Sequence, residues 1–341
     1  MALKKVRINE AVGMVLGHDM TKIVPGEYRG PAFKKGHIIR EEDIPHLLNI
    51  GKEHIYLLEL GVEQIHENEA AQRLAAAVGG TNTCFAGPSE GKVHIVAEQA
   101  GLLKVNRDAV IKINSVNYTV LSTLHGNRLV KAGETLAGVK VVPLIADIQT
   151  VETVEQIAGK YQDIIAVKPL QPLKTGIITT GNEVFYGRIQ DKFGPVLQEK
   201  IETYQATYSG TTFQPDNAEA IMQAILDHAK AGAEVIIVTG GMSVDPDDVT
   251  PDAIRATGAQ VITYGTPVLP GAMFMLAYLD NIAILGLPAC GMFSKITVLD
   301  LVFPRILAGE RLSKQDFAEM GYGGLCMGCK ECSYPCCPFG K

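Results

Sequence analysis

Asp245, Asp247 and Asp248 fall a few residues after Gly240-Gly241 and just before Thr250-Pro251. Carboxylates grouped in this way can hold a divalent cation, and adjacent glycines let backbone N–H groups come close to an anionic ligand. A β-branched run, Val235 to Val238, precedes them without polar alternation, the pattern of a central parallel strand covered on both faces. Thr250 is expected to cap a helix and Pro251 to be its first residue. Strand, glycines, acids and helix start, in that order, suit a phosphate on the loop N–H groups with magnesium held by carboxylates beside it. The alternative is that the glycines only turn the chain while the acids are solvated or complement the helix dipole.

A second loop of the same kind follows the strand-like run Thr175 to Thr179: Thr180-Gly181-Asn182-Glu183, with Asp191 close behind. Loops at the carboxyl ends of neighbouring parallel strands face a common ligand. Thr180, Gly181, Asn182, Glu183 and Asp191 are therefore candidates to act together with Thr239, Gly240, Gly241, Ser243 and Thr250. Asp191 has a plainer use as the cap of a helix opened by Gly194-Pro195. Asp216, three residues before Glu219, is either a capping-box residue or a site carboxylate. A third loop, containing Pro288 and Cys290, follows the apolar run Ile282 to Leu285, and Cys290 there is a ligand contact or a small buried residue.

Five of the seven cysteines, Cys326, Cys329, Cys332, Cys336 and Cys337, crowd the last residues of the chain. A disulfide-built domain would spread them more evenly, so the cluster points to zinc or an iron–sulfur cluster in a reducing compartment. Four thiolates satisfy either. A thiol-rich tail without metal is the remaining alternative.

These residues need a scaffold, and 341 residues with 47% apolar content can bury a large core. The formal net charge is −6 and no Lys/Arg cluster interleaves with aromatics, so a nucleic-acid partner is not expected. No apolar run approaches a membrane span and the first residues lack the apolar segment of a signal peptide, so the expected location is the cytoplasm. Residues 1–78 read as a small α+β module with a helix from Glu41 to Ile50 and another from Glu63 to about Ala77. Residues 79–170 read as a β-rich, barrel-like domain and linker, with Ala109 to Ile113 among its strands. Residues 171–312 alternate β and α elements, which argues for a doubly wound, mostly parallel α/β sheet. Residues 313–341 form the cysteine-rich tail. His37, His46 and His54 have no ligand spacing around them and are read as surface or packing residues.

The 171–312 region resembles the molybdopterin-binding fold shared by molybdopterin molybdenumtransferases and molybdopterin adenylyltransferases. Gly240-Gly241-Met242-Ser243-Val244 is similar to the molybdenumtransferase version, and Asp248-Val249-Thr250-Pro251-Asp252-Ala253 to the adenylyltransferase one. Thr180-Gly181-Asn182-Glu183 and Asp191 match the first transferase motif, and Asp216 an adenylyltransferase aspartate. Ala11 to Asp19 and the stretch from Lys35 to Leu58 look like pieces of transferase accessory domains. The resemblance implies molybdopterin or its adenylylated form as substrate, molybdate as co-substrate, a homodimer, and Mg2+ on Asp191, Asp245 and Asp248. It implies catalytic roles for Asp191, Asp216 and Asp248, in molybdate insertion or in adenylyl transfer from MgATP. The last loop departs from the pattern. Where those families carry Pro-Gly, an amide residue, Pro and a Ser, this chain has Pro288-Ala289-Cys290-Gly291-Met292-Phe293-Ser294. That departure motivates a non-catalytic cofactor carrier or sensor as a further alternative.

Overall fold

A computed structural model describes residues 4–24, 26–57, 61–243 and 245–340, excepting the side chains of residues 4, 29, 57, 290 and 292. The chain packs into two compact units. One holds residues 1–99, 104–124 and 131–167, and the other holds 100–103, 125–130 and 168–341.

In the first unit, Lys4–Arg7 pairs antiparallel with His54–Leu57, and Met20–Val24 pairs with Tyr28–Phe33. The helix Asp43–Asn49 lies shortly before His54–Leu57, and Ile8, Leu16, Ile39, Leu47 and Ile55 form a small core. His37 is a packing residue, its Nε2 2.6 Å from the Asp43 carboxylate. A longer helix, Glu67–Val78, packs on a second, Ile148–Ala158, and Arg73 makes a two-pronged salt bridge to Glu155 at 2.9 and 2.7 Å. Beside them stands a four-stranded antiparallel sheet in the order Thr83–Ser89, Lys92–Ala97, Thr135–Val141, Thr119–Thr123. Among the described pairings its first and last strands do not meet, so the sheet is open and the expected barrel does not close. The expected strand at 109–113 is also a helix, Arg107–Asn114. Val110, Ile111 and Ile113 are β-branched, but the Asn106 side chain accepts the N–H of Ala109 at 3.0 Å, a cap that commits the segment to a helix.

The second unit is built on a six-stranded sheet: β1 (Lys174–Thr180), β2 (Thr207–Gln214), β3 (Val235–Thr239), β4 (Gln260–Tyr264), β5 (Met275–Leu279) and β6 (Ile282–Leu287). Spatial order is β2-β1-β3-β6-β5-β4. The first four of these run parallel, while β5 is antiparallel to both neighbours. The sheet is therefore mixed α/β and mostly parallel, as the alternation requires.

The middle of each central strand is apolar because both faces are covered. Ile177, Val235, Ile237, Leu276 and Leu285 face one helical layer, made of α2 (Phe193–Thr203), α6 (Val298–Leu307) and α7 (Lys314–Glu319). Ile178, Ile236, Val238, Ala277 and Ile284 face the other, made of α3 (Ala218–Lys230) and α4 (Thr250–Ala256). The same two-residue period that splits a strand's side chains between faces thus produces three layers. Two short helices, α1 (Asn182–Phe185) and α5 (Cys290–Phe293), follow β1 and β6 directly. The cysteine-bearing segment is part of this unit, since Phe317 and Phe339 lie in the same core as β1 and β6. No helix among the described residues is long and apolar enough to cross a membrane.

Candidate functional site

The register of β1, β3 and β6 sets Thr179 beside Thr239 and Thr239 beside Leu287. Because the three strands are parallel, the loops starting at Thr180, Gly240 and Pro288 leave the sheet at one edge, side by side. β2 adds a fourth loop at the same level, with Gln214 opposite Thr180.

The glycine loop is built by contact. At Gly240 (φ +89°) a Cβ would lie 2.5 Å from the Thr180 carbonyl oxygen and 2.6 Å from its hydroxyl. At Gly241 (φ +55°) a Cβ would lie 2.9 Å from Thr250 Oγ1. Both positions thus require glycine, for conformation and for space. Thr250 is the first residue of α4 and not its cap; its hydroxyl instead donates to the Gly240 carbonyl at 2.8 Å and stands 3.4 Å from the Thr180 hydroxyl. One buried hydroxyl therefore stitches the two glycine loops together.

The carboxylates divide into two kinds. Asp216 was open to reading as a helix cap, but Asn217 takes that role, accepting the Ala220 N–H at 2.9 Å. Asp216 is left to clasp the first loop: its Oδ2 accepts the Asn182 N–H at 2.9 Å while its own N–H reaches Asn182 Oδ1 at 3.3 Å. Asp191 caps α2 through the N–H groups of Phe193 at 2.8 Å and Gly194 at 3.1 Å, the structural one of its two readings. Asp248 accepts the Asp245 N–H at 3.0 Å, so it shapes the acidic loop, while Asp245 and Asp247 project into solvent. Among the described residues no three His, Cys, Asp or Glu side chains converge on one metal position, and Asp191, Asp245 and Asp248 are not such a set. Val244, in the middle of that loop, lies outside the described residues.

Glu183 is exposed and packs its carboxylate against Gly181. Ser243 is exposed, Pro288 is half-buried, and Cys290 opens α5 with its side chain outside the described set. The hydroxyls of Thr179 and Thr239 are buried without a hydrogen-bond partner in the described chain.

Two residues that hold the site escaped the sequence reading. Tyr264, on β4, donates its hydroxyl to the carbonyls of Met242 at 3.1 Å and Ser243 at 3.2 Å, pinning the segment after the glycines. Burial raises its pKa, against the opposing pull of Arg255, whose guanidinium lies 5.5 Å from the ring centroid. Met242 is buried against Gly286 on β6, where a Cβ would come within 2.7 Å of its methyl carbon. The signal for the second was present, a glycine inside an otherwise apolar strand. For Tyr264 there was none, because its partners are backbone carbonyls distant in sequence.

Residues 176–308 match the family described as "Probable molybdopterin binding domain", and residues 5–59 match a domain of unknown function, DUF8806. A molybdopterin molybdenumtransferase of Haemophilus influenzae is 25% identical over 270 residues, covering 73% of this chain and 65% of that protein. A molybdenum cofactor biosynthesis bifunctional protein of Synechococcus elongatus is 27% identical over 129 residues, covering 35% of this chain and 40% of the relative. The chain thus spans about two thirds or less of the length of these curated relatives. Among solved structures, the molybdopterin biosynthesis enzyme MoaB of Thermus thermophilus matches with 20% identity and a TM-score of 0.34, over 40% of this chain and 98% of that one. Residues 176–308 thus match a molybdopterin-binding domain, and the chain is similar to molybdenum cofactor biosynthesis proteins of that superfamily.

Proposed function

We propose that the second unit binds molybdopterin with its phosphate at the Gly240-Gly241 and Thr180-Gly181 loops, and that the protein inserts molybdate into the adenylylated pterin. The observation that carries the binding reading is the pair of glycines that admit no Cβ, locked by Thr250 at the carboxyl edge of parallel strands. An anion reaches backbone N–H groups best where side chains are excluded in this way.

Magnesium fits the donor chemistry of the acidic loop, because the ion takes one or two carboxylates and completes its shell with water and substrate phosphate. Asp245 and Asp248 are its proposed holders, with Asp191 recruited only if it releases the N–H groups at the start of α2. When bound, the ion would neutralise phosphate charge and polarise the anhydride. The chain's own part is orientation: Thr180 and Thr250 fix the loop spacing, and Asp216 fixes Asn182. Such a site works by positioning and charge neutralisation, so it needs no Ser-His or Cys-His pair.

A second reading is adenylyl transfer from MgATP to molybdopterin within the same site. The clasp of Asp216 on Asn182 favours it, since it brings that carboxylate to the first loop. Calorimetric titration with molybdopterin and with its adenylylated form, each with magnesium and then molybdate, tests both. Preferential binding of the adenylylated form with molybdate-dependent release of AMP is the expected result. Adenylylation of molybdopterin by MgATP without molybdate would replace insertion with the second reading. Binding without either turnover would leave a carrier, and failure to bind any form would remove the pterin from this site.

A further inference from the structure

The chain from Gly324 to Phe339 is not a loose end. Leu325 bridges to Leu269, the Cys326 N–H donates to the Leu269 carbonyl at 2.8 Å, and the Gly340 N–H donates to Gly323 at 2.9 Å. Phe339 is 3% exposed in the core of the second unit. The thiol-bearing segment is thus anchored at both ends. Between the anchors it walls a cavity of about 430 Å3, lined by Cys326, Cys329, Cys332 and Cys337, with the 293–296 segment forming another part of the wall. Cys326 and Cys337 are half-buried against the core, while Cys329 and Cys332 are on the solvent side. Cys336, one residue away, is exposed and does not line the cavity.

The sequence leaves the fourth thiol ambiguous. The spacing from Cys326 through Cys329 and Cys332 to Cys336 follows the two-two-three pattern of a cluster-binding run, yet the proline that closes such a run follows Cys337. The fold resolves this, because only Cys337 joins the other three around one cavity. We infer that Cys326, Cys329, Cys332 and Cys337 ligate a [4Fe–4S] cluster in this cavity, with Cys336 outside the ligand set.

Three features favour a cluster over a single zinc ion. A structural zinc demands four sulfurs at about 2.3 Å from one point, a closed site with no room inside it. Here the four thiols are instead arrayed along the wall of a void of about 430 Å3. A cube with four irons at separate corners asks for that spread arrangement. Second, the first three cysteines form one continuous run, whereas zinc ribbons use two separated Cys-x-x-Cys pairs. Third, Lys295 and Lys330 line the same cavity and no carboxylate does, which suits the net negative charge of a cluster with four thiolates. On binding, each of the four thiols gives its proton to solvent and its sulfur to one iron.

The full chain, purified without oxygen and again after reconstitution with ferric iron, sulfide and excess dithiothreitol, tests this. About four irons and four sulfides per chain are expected, with charge-transfer absorption that bleaches on reduction. Cys336→Ser should keep the full iron content, and Cys337→Ser should lose most of it while retaining the thermal transition of the second unit. One zinc per chain in place of iron would overturn the inference, as would absence of iron after reconstitution. Loss of iron in Cys336→Ser with retention in Cys337→Ser would overturn the ligand assignment. None of these readouts depends on pterin binding.

Discussion

The second unit holds two ligand-facing regions made in opposite ways. At the Gly240-Gly241 loop everything is in van der Waals or hydrogen-bond contact already: glycines without room for a Cβ, a threonine stitching two loops, a tyrosine clamping the exit. At the cysteine cavity the anchors are equally firm, but the thiols stand apart around a void. A site that takes an exchangeable substrate benefits from preorganisation, since little must be ordered at binding. A site that takes a resident group is completed by it. The segment from Phe293 to Ile296 lies between them, leading from α5 to the wall of the cavity.

That segment is held by a half-buried cation. Lys200 donates to the Lys295 carbonyl at 2.7 Å and to Asp300 at 2.6 Å, while the Tyr204 hydroxyl donates to the same carboxylate at 2.8 Å. Asp300, 2% exposed, also caps α6 through Thr297. Burial, with the carboxylate beside it, keeps the Tyr204 phenol protonated far above its usual range. Lys200→Met removes the partner of a buried carboxylate and should cost about 3–5 kcal/mol, the largest effect expected in the unit. Urea denaturation measures it. If both regions depend on the 293–296 segment, the variant should weaken pterin affinity and iron retention together; loss of only one would show that they are independently supported.

Gly240→Ala should separate the two regions. The strained φ and the 2.5 Å approach to Thr180 predict a stability loss of about 1–3 kcal/mol and collapse of pterin affinity, with iron content untouched. Wild-type affinity would mean that the loop is flexible and that preorganisation is not its property.

How much of this was legible in the sequence follows from the range of the forces involved. β1, β3 and β6 were visible because strands covered on both faces have an apolar middle, and each is followed at once by glycine or proline. β2 was not: its residues alternate little, Gly210 interrupts it at φ +120°, and only pairing with β1 makes it a strand. β5 was missed because a short apolar run carries no period to mark it. The glycines and Asp216 were identifiable by type, but whether Asp216 or Asn217 caps α3 depends on backbone geometry that spacing cannot distinguish. The choice between Cys336 and Cys337 is likewise a matter of which side chain turns inward.

The tail's docking has its own test in acid. α7 is tied to α6 by Arg305, whose guanidinium reaches Asp316 at 2.5 Å and Glu310 at 2.9 Å. Burial alone would raise the Asp316 pKa, but the Ser313 hydroxyl and N–H and the Arg305 charge outweigh it and hold the carboxyl at about 2, below its ordinary 3.8. A depressed carboxyl stabilises the fold above its unfolded pKa and loses that contribution as pH falls through the folded one. About 2 kcal/mol should therefore disappear between pH 4 and 2. Asp316→Asn, followed by denaturation across that window, should flatten the slope; an unchanged slope would assign acid sensitivity elsewhere.

The smallest effect is the most specific to the comparison. Tyr264→Phe keeps the ring under Arg255 and removes only the hydroxyl that holds the carbonyls of Met242 and Ser243. Global stability should fall by about 0.5–1.5 kcal/mol, the ordinary net worth of such hydrogen bonds. Amide exchange should rise in residues 242–249 and stay unchanged in 326–337. Pterin affinity should drop several-fold through a faster off-rate, since the loop must now be ordered by the ligand instead of by the protein. Faster exchange without loss of affinity would show that the glycine contacts alone preorganise the loop, and that Tyr264 clamps a segment the ligand does not use.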